Sequence, residues 1–376
     1  MELEAINAWQ QTTAGREEAT LAPYAMHSAD SAGRKYPEPS HPYRGPFQRD
    51  RDRVVHSAAY RRLSAKTQVF TGELGDYHRT RLTHTLEVAS VSRTVSRAMS
   101  LNEDLTETLA LVHDLGHPPF GHAGEEVLNG CLQGHGGFCH NRHALRIVEE
   151  LEVRYPEFPG LNLSWEVLEG QAGRISKTAA AQRPLLESQV VEAADSITYD
   201  THDADDAMEL GLLTLDELLA VPLWAEAARR VRRQYANLQP SELRRAVLHE
   251  LIDWQVGDLL SQAGERLASF GVESPQAVRQ APVIVVVSDA LAQQKRELEA
   301  FLYQRVYRHP EVVRHRQVAQ QRLREMFDQF MQHPELLPDR FHQRSFVVGL
   351  ARCVADYLAG MTDRFAQREY ERLFAK

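Results

Sequence analysis

The chain has 376 residues, of which 43% are hydrophobic and 25% are charged, and its formal net charge at pH 7 is −9. This composition is typical of a globular protein with a large core. This net negative charge argues against extensive electrostatic binding of nucleic acid around the protein, although it is compatible with a local basic pocket.

The cysteines and the N-terminus indicate the compartment. Cys131, Cys139 and Cys353 have no paired zinc-site spacing, and their odd number argues against a disulfide framework. The N-terminus has no signal-peptide pattern, and no apolar run is long enough to span a bilayer. We therefore expect a cytoplasmic protein with no membrane association.

Residues 1–50 are polar and contain four prolines between Pro37 and Pro46. We predict an extended N-terminal arm, ordered by packing on the body or on another subunit. From Phe47 onward the pattern is mostly helical, which predicts an all-α fold, and 283–287 is the one short candidate strand or the buried start of a helix. The predicted units are the arm at 1–50, a helical core at 51–210 and a helical C-terminal region at 211–376.

The first of three informative helices places a histidine on an apolar stripe. Val88, Val91, Val95 and Met99 recur at helical spacing, and His84 lies one step before Val88. We therefore predict that the His84 side chain points toward the core rather than toward water.

The second helix ends in an adjacent pair, His113 and Asp114. It can begin at Asn102, a residue type that suits an N-cap. His113 follows Leu109 of the buried stripe by four residues, and Gly116 with the two prolines after it ends the helix. A neutral imidazole beside a carboxylate is a ready pair of ligands for a divalent metal.

The third helix, from about Leu185, has an apolar face that is interrupted by a carboxylate. Asp195 lies in this largely apolar stretch. A carboxylate near a buried face is costly unless it is paired or binds a metal. The apolar face comprises Leu186, Val190, Ala193 and Ile197.

Together, His84, His113, Asp114 and Asp195 form a candidate site for a divalent metal. Two imidazoles and two carboxylates suit Mn, Fe, Co, Ni or Zn, and could hold Mg with more water. Four protein ligands leave open positions on an octahedral ion, which is typical of a catalytic site. The alternative is that both histidines are satisfied core residues and that Asp195 is a salt-bridge partner between helices.

Five longer motifs extend this set along the chain. They are RTRLTHTLEV at 79–88, HDLGHPPFGHAGE at 113–125, GFCHN at 137–141, GLNL at 160–163 and VVEAADSITYDTHD at 190–203. The ordered series resembles the deoxyguanosinetriphosphate triphosphohydrolase (dGTPase) family of HD-domain metal-dependent phosphohydrolases, from near Glu17 through 244–260. The resemblance implies a helical HD-domain core with additional C-terminal helices, and cleavage of dNTPs to a deoxynucleoside and triphosphate.

The resemblance also assigns roles to residues. The four candidate ligands match the family's metal ligands, and His122 and Glu125 match its catalytic pair. A histidine can exchange a proton at neutral pH, and a carboxylate three positions later can hold the imidazole in place. The alternative for Glu125 is a charge in the first turn of a helix, near the N-terminal dipole.

Further positions match substrate contacts of related enzymes. Arg81, His117 and His140 match residues that reach the phosphates, Gln68 matches a position near the sugar, and Tyr199 and Asp203 match residues that border the deoxyribose. A tyrosine ring under the sugar would crowd a 2′-hydroxyl and so favour deoxynucleotides. The alternatives are a surface arginine at Arg81 and a core aromatic at Tyr199.

The pattern does not identify the C-terminal basic residues that grip phosphates in some members of the family. We favour a solvated helix face for each of the candidates. His135 and His143 are as compatible with plain surface positions as with a role in the site. The basic candidates are Lys295, Arg296, Arg305 and Arg308.

Two other functions are compatible with the sequence. One is an HD-domain hydrolase acting on another phosphoester, such as a nucleoside monophosphate, a cyclic nucleotide or a guanosine polyphosphate. The other is a nucleotide-sensing or single-stranded-DNA-binding protein in which the pocket is regulatory.

Partners follow from the resemblance alone. It implies a homo-oligomer, either a tetramer or a hexamer, and it is compatible with a dNTP or a single-stranded nucleic acid as effector. No arginine-rich stretch with interleaved aromatics indicates such an effector. The sequence identifies neither the metal nor the preferred dNTP.

Overall fold

The computed structural model describes residues 14–68, 79–175 and 182–374. Within these ranges the chain is mainly helical, which confirms the all-α prediction. No helix among the described residues has the length and apolarity needed to cross a membrane. The β-type pairings in the same ranges are isolated bridges between Arg34 and Ser164, Thr67 and Thr80, and Val153 and Gly160.

The first eight labelled helices surround the candidate site. Helices α3, α4 and α8 pack against one another and bring the predicted ligands together. The helices are α1 (Pro46–Val55), α2 (Ala58–Arg62), α3 (Arg81–Ala98), α4 (Glu103–Val112), α5 (Gly121–Cys131), α6 (His140–Arg146), α7 (Trp165–Gly173) and α8 (Leu186–Glu209).

Several of the remaining helices pack on α5 or on α8. A π-helical turn, Tyr303–Tyr307, follows α13. These helices are α9 (Leu215–Leu219), α10 (Pro222–Gln234), α11 (Pro240–Phe270), α12 (Pro275–Gln280), α13 (Asp289–Leu302), α14 (Pro310–Gln332), α15 (Asp339–Val348), α16 (Leu350–Ala359) and α17 (Asp363–Phe374).

The three ligand-bearing helices form as the sequence predicts. His84 is buried on the same face of α3 as Val88. The Asn102 side chain caps α4 by accepting a hydrogen bond from the Leu105 amide at 3.1 Å, and the helix ends at Val112. Helix α8 begins at Leu186, next to the predicted start.

The sequence predicts either a short strand at 283–287 or the buried start of a helix there, and both predictions are wrong. The segment is irregular, and α13 begins only after it, with Ser288 as N-cap. Ile284 and Val285 are buried, and their amides donate to the Gln189 side-chain oxygen at 2.8 and 3.2 Å. A side-chain amide therefore satisfies the buried backbone where a sheet neighbour would otherwise be needed.

The arm packs on the body of the same chain. Arg34 pairs with Asp50 of α1 and donates to the Asn162 carbonyl at 2.6 Å. Glu166 of α7 accepts hydrogen bonds from the Ser31 hydroxyl at 2.9 Å and the Ala32 amide at 2.6 Å. These contacts join the arm to the core directly.

Two glycines allow the loop after α4 to approach its neighbours closely. A Cβ on Gly116 would lie 1.9 Å from the His140 carbonyl oxygen and 2.4 Å from the Ala144 amide nitrogen. A Cβ on Gly124 would lie 2.1 Å from the Pro119 carbonyl oxygen. Real side chains do not tolerate such contacts, so Gly116 lets the loop meet α6 and Gly124 lets α5 pack against the Pro119 carbonyl of the loop.

The C-terminal helices hold the same loop from the other side. Asp363, at the start of α17, accepts hydrogen bonds from the amides of Phe120 at 3.0 Å and Thr67 at 2.9 Å. Phe120 has a φ of 64°, in the left-handed region that is unfavourable for a side chain of this size. Lys66 is buried and donates to the His117 carbonyl at 2.5 Å and to a carbonyl at the end of α16. The C-terminal region thus fixes the loop.

We expect Gly116→Ala to destabilise the protein, because the added methyl group would overlap the backbone of α6. Overpacking of this kind costs about 3 kcal/mol. The matched control is Gly264→Ala within α11, where nothing lies within 4 Å of an added Cβ. The control should gain about 0.5–1 kcal/mol of stability. Urea unfolding measures both, and equal stability of Gly116→Ala and the natural chain would contradict the packing described.

Candidate metal centre and the histidine cluster beside it

The four predicted metal ligands lie together at the junction of α3, α4 and α8. His84 Nε2 is 3.2 Å from Asp195 Oδ1. His113 Nε2 is 3.5 Å from Asp114 Oδ1 and 3.8 Å from Asp195 Oδ1. His84, His113 and Asp114 offer ligand atoms that lie within 4.8 Å of one another, and Asp195 Oδ1 lies close to both imidazoles.

His113 supplies the test of whether a metal fits there. Its Nδ1 lies 2.6 Å from the Ala110 carbonyl oxygen and donates to it, because a carbonyl can only accept. This tautomer leaves a lone pair on Nε2, which is buried and has no hydrogen-bond partner among the described residues. A satisfied core histidine would not leave this atom unpaired. The donor set fits a divalent ion, and a backbone carbonyl orients the ligand.

The Oδ1 atom of each carboxylate lies near the imidazoles, and an arginine binds the Oδ2 atom. Arg81 Nη1 donates to Asp114 Oδ2 at 2.8 Å, and Arg174 Nη2 donates to Asp195 Oδ2 at 2.7 Å. Arg81 is 1% exposed, so it is not the surface arginine of the alternative interpretation. Sequence reasoning missed Arg174, because it follows α7 in no recognised motif. The salt bridge suggested for Asp195 does exist, and it uses the oxygen that does not face His84.

These contacts keep both carboxylates ionised. Burial alone would raise the pKa of Asp114 and Asp195, but the adjacent imidazoles and arginines more than offset it and hold each pKa below its usual range. Burial lowers the pKa of His113, which favours the neutral ligand form. Burial has the same effect on His84, but the hydrogen bond with Asp195 and the charges of Asp114 and Asp195 together outweigh it and raise the pKa. Metal binding would therefore compete with protonation at His84.

A second polar group is centred on Glu125 of α5. Its carboxylate accepts from the His140 amide and from His140 Nδ1, both at 2.8 Å, and lies 3.2 Å from His122 Nδ1. Although burial opposes it, hydrogen bonds from both histidines hold the pKa of Glu125 well below its usual range. Glu125 is therefore more than a solvated helix charge, since it orients two imidazoles.

His117 connects the two groups. Its Nδ1 is 3.0 Å from Asp114 Oδ1, and its ring stacks on His140 with centroids 3.9 Å apart. The His122 side chain is 68% exposed, so this end of the site is open to solvent. Burial, together with the charge of Arg81, lowers the pKa of His117 well below its usual range, so the ring is neutral at pH 7.

A third group lies farther along α8. Tyr307, from the π-helical turn, donates a hydrogen bond to Asp203, and its ring stacks on Tyr199 with centroids 6.5 Å apart. Burial raises the pKa of Asp203 to about 7. Tyr199 thus has the Tyr307 ring as a neighbour. Sequence reasoning missed Tyr307, because no motif links this C-terminal tyrosine to α8.

Gln68 lies at the edge of the described residues, near Arg81. Its carbonyl accepts a hydrogen bond from Arg81 Nη2 at 3.3 Å. Its side-chain Oε1 is buried and has no partner among the described residues.

The interpretation of two other polar residues is corrected. Lys295 is not on a solvated face: it is 7% exposed, pairs with Asp200 and donates to Gln255 Oε1 at 2.9 Å. His143 is not a surface residue, since it is 2% exposed and its ring lies 5.2 Å from that of Phe138. The apolar contacts of α6 account for its burial. The residues that are exposed, as the solvated interpretation expects, are His135, Arg296, Arg305 and Arg308.

The chain matches known protein families and a solved structure. A family model described as HD domain matches residues 81–200, and one described as phosphohydrolase-associated domain matches residues 285–372. A crystal structure of a hypothetical protein from Aquifex aeolicus aligns with a TM-score of 0.43 and 19% identity, over 86% of this chain and 71% of that one.

Curated relatives match along nearly the whole chain, and each is named deoxyguanosinetriphosphate triphosphohydrolase-like protein. That of Geobacter metallireducens is 44% identical over 370 residues, covering 96% of both chains. That of Nitrosomonas europaea is 42% identical, covering 95% of this chain and 98% of the relative. That of a Caulobacter species is 45% identical, covering 94% and 96%. The chain therefore belongs to the deoxyguanosinetriphosphate triphosphohydrolase-like family of HD-domain phosphohydrolases.

Proposed function

We propose that the protein is a metal-dependent dNTP triphosphohydrolase, which converts a dNTP to a deoxynucleoside and inorganic triphosphate. The observation that carries the proposal is the contact between the two polar groups. His117 touches Asp114 of the candidate metal centre on one side and His140 of the Glu125 group on the other. A phosphate between these groups would face metal ligands and a proton-transfer pair at once.

In this proposal His84, His113, Asp114 and Asp195 hold a divalent ion. When bound, that ion supplies Lewis-acid polarisation of a phosphoryl oxygen. His113 is oriented for this role by the Ala110 carbonyl, and the outer oxygens of both carboxylates are fixed by arginines. The ligands are thus held in place before any ion arrives.

The proposed chemical step is attack of water on the α-phosphorus. His122 takes a proton from this water, and Glu125 orients the imidazole through its Nδ1. The bond between the α-phosphorus and the 5′-oxygen breaks, the 5′-oxygen takes a proton from solvent, His122 returns its proton to solvent, and triphosphate leaves intact. His117 and His140 lie beside this position and, with Arg81, would stabilise the negative charge on the phosphates.

The groove lined by Tyr199, Asp203 and Tyr307 is the proposed sugar site. The two tyrosine rings form a stacked wall, and Asp203 offers a carboxylate that Tyr307 already orients. A deoxyribose against such a wall could donate its 3′-hydroxyl to Asp203, whereas a 2′-hydroxyl would meet the ring. Gln68 remains the proposed contact at the other edge of the sugar.

Two alternatives are tested by the same assay. An HD-domain hydrolase of another phosphoester would release orthophosphate or pyrophosphate. A nucleotide sensor or single-stranded-DNA-binding protein would bind without turnover. The polar groups of the site argue against a pure sensor, because binding alone needs no oriented His122–Glu125 pair. The boundaries of the three units, the oligomeric state, the cytoplasmic location and a nucleic acid or dNTP effector stay predictions.

We expect the purified protein with Mn²⁺ or Mg²⁺ to release triphosphate and deoxynucleoside in equal amounts from at least one of the four dNTPs. Chromatography of the products over time measures this. Release of pyrophosphate or orthophosphate as the first product would instead favour another phosphoester reaction. Absence of turnover with every divalent metal tested would contradict the proposed function.

His122→Ala should lower kcat by about 10²–10⁴-fold, the usual contribution of a positioned acid or base. It should leave the affinity for Mn²⁺ unchanged, because His122 is not among the four proposed ligands of the activating ion. The matched control is His135→Ala, which removes an exposed histidine from a nearby loop. Steady-state kinetics and a Mn²⁺ titration measure the two effects. A His122→Ala enzyme with natural turnover would exclude the assigned role.

Tyr307→Phe should shift the pH profile of kcat/KM. Burial raises the pKa of Asp203 to about 7, and the Tyr307 hydrogen bond opposes that rise. If ionised Asp203 accepts the sugar hydroxyl, kcat/KM should increase with pH through about 7, and loss of the Tyr307 hydroxyl should move the midpoint to higher pH. Tyr303→Phe, which alters an exposed tyrosine of the same turn, is the control. An unchanged midpoint in Tyr307→Phe would contradict the pairing.

A further inference from the structure

Three histidines at the open end of the site are arranged like the ligands of a metal ion. One ligand atom from each of His117, His122, His140 and Glu125 lies within 4.8 Å of the others. The rings of His117 and His140 stack, and the His122 ring lies 5.4 Å from the first and 6.0 Å from the second. None of these residues belongs to the set proposed for the activating ion.

The hydrogen bonds of Glu125 leave the same nitrogen free on two of the rings. Glu125 faces Nδ1 of His122 at 3.2 Å and Nδ1 of His140 at 2.8 Å. Because a carboxylate accepts, each of these two Nδ1 atoms carries the proton and each Nε2 keeps its lone pair. Nδ1 of His117 lies 3.0 Å from Asp114 Oδ1 but forms no hydrogen bond with the described residues, so neither nitrogen of this ring is committed to a partner. No Nε2 of the three forms a hydrogen bond with the described residues.

This is the arrangement that supports histidine ligands in metal sites. A carboxylate on one ring nitrogen fixes the tautomer and orientation and makes the other nitrogen a better ligand. Three imidazoles form a recognised set for a zinc ion that keeps a fourth position open. Imidazole ligands select borderline transition metals such as Zn²⁺ over Mg²⁺, which prefers oxygen.

We propose that His117, His122 and His140 form a second metal site, selective for a borderline transition-metal dication such as Zn²⁺, and that its occupation inhibits the enzyme. The binding claim stands on the cluster alone, and the inhibition claim rests on the proposed function. An ion on His122 Nε2 would occupy the lone pair that takes the proton from water. An ion on His117 and His140 would occupy nitrogens proposed to meet the phosphates.

The first test counts bound zinc without measuring activity. The metal-free full chain is dialysed against Zn²⁺, and bound zinc per chain is determined by elemental analysis. We expect two ions in the natural chain and one in the His122→Ala/His140→Ala double variant. His135→Ala should retain two, which shows that the loss is specific among the 17 histidines of the chain. One ion in the natural chain, or two in the double variant, would overturn the proposal.

A spectroscopic test covers the case in which His140→Ala disturbs the packing of α6. His122 is largely exposed, so His122→Ala alone should fold normally. Co²⁺ in a low-coordinate nitrogen site absorbs visible light intensely, whereas octahedral Co²⁺ absorbs weakly. We expect an intense band to appear with the second equivalent of Co²⁺ and to be lost in His122→Ala. An unchanged band in that variant would contradict the assignment.

The inhibition claim is tested by adding Zn²⁺ to the enzyme working with Mn²⁺. We expect the turnover rate of the natural chain to fall at least tenfold when the second site fills. This fall should occur over the same range of Zn²⁺ concentrations in which the second ion binds. Turnover unaffected by a bound second ion would overturn the inhibition claim. If the chain binds two zinc ions but hydrolyses no dNTP, the proposed function is overturned, whereas the proposal of a second metal site is still supported.

Discussion

The structure around the site depends on two carboxylates that are wholly or largely withdrawn from water. Asp114 is 5% exposed, and the side chain of Asp195 on α8 is 25% exposed. An ionised carboxylate withdrawn from water is strongly unfavourable unless other charges and hydrogen bonds compensate it. Arg81 and Arg174 each compensate one carboxylate, and the imidazoles of His84 and His113 lie near the other oxygens. The two arginines thus orient the carboxylates without being among the proposed ligands.

This compensation connects distant parts of the chain. Arg81 begins α3 and Arg174 follows α7, so each buried pair fastens one helix to another. The loop after Asp114 is packed by Gly116 against α6 and is held by Asp363 at the start of α17. The C-terminal region therefore contributes in two ways, by fixing this loop and by supplying Tyr307 as the partner of Asp203.

Much of the candidate site could be predicted from the sequence, because its residues lie on or next to periodic helices. The inward direction of His84, the cap at Asn102 and the end of α4 next to His113 all follow from local rules of spacing and capping. Arg174 and Tyr307 could not be found in this way, since each meets its partner only through tertiary packing. Lys295 was misjudged for the same reason: its charge suggested solvent, but Asp200 and Gln255 give it partners inside the fold.

The most direct test of the central claim is the location of a bound metal. Crystals of the protein soaked in Mn²⁺ can be measured for anomalous scattering, which identifies the ion independently of activity. The account predicts a strong anomalous peak within coordination distance of His84, His113, Asp114 and Asp195. No peak at that position, with those side chains still paired only to each other and to the two arginines, would contradict it.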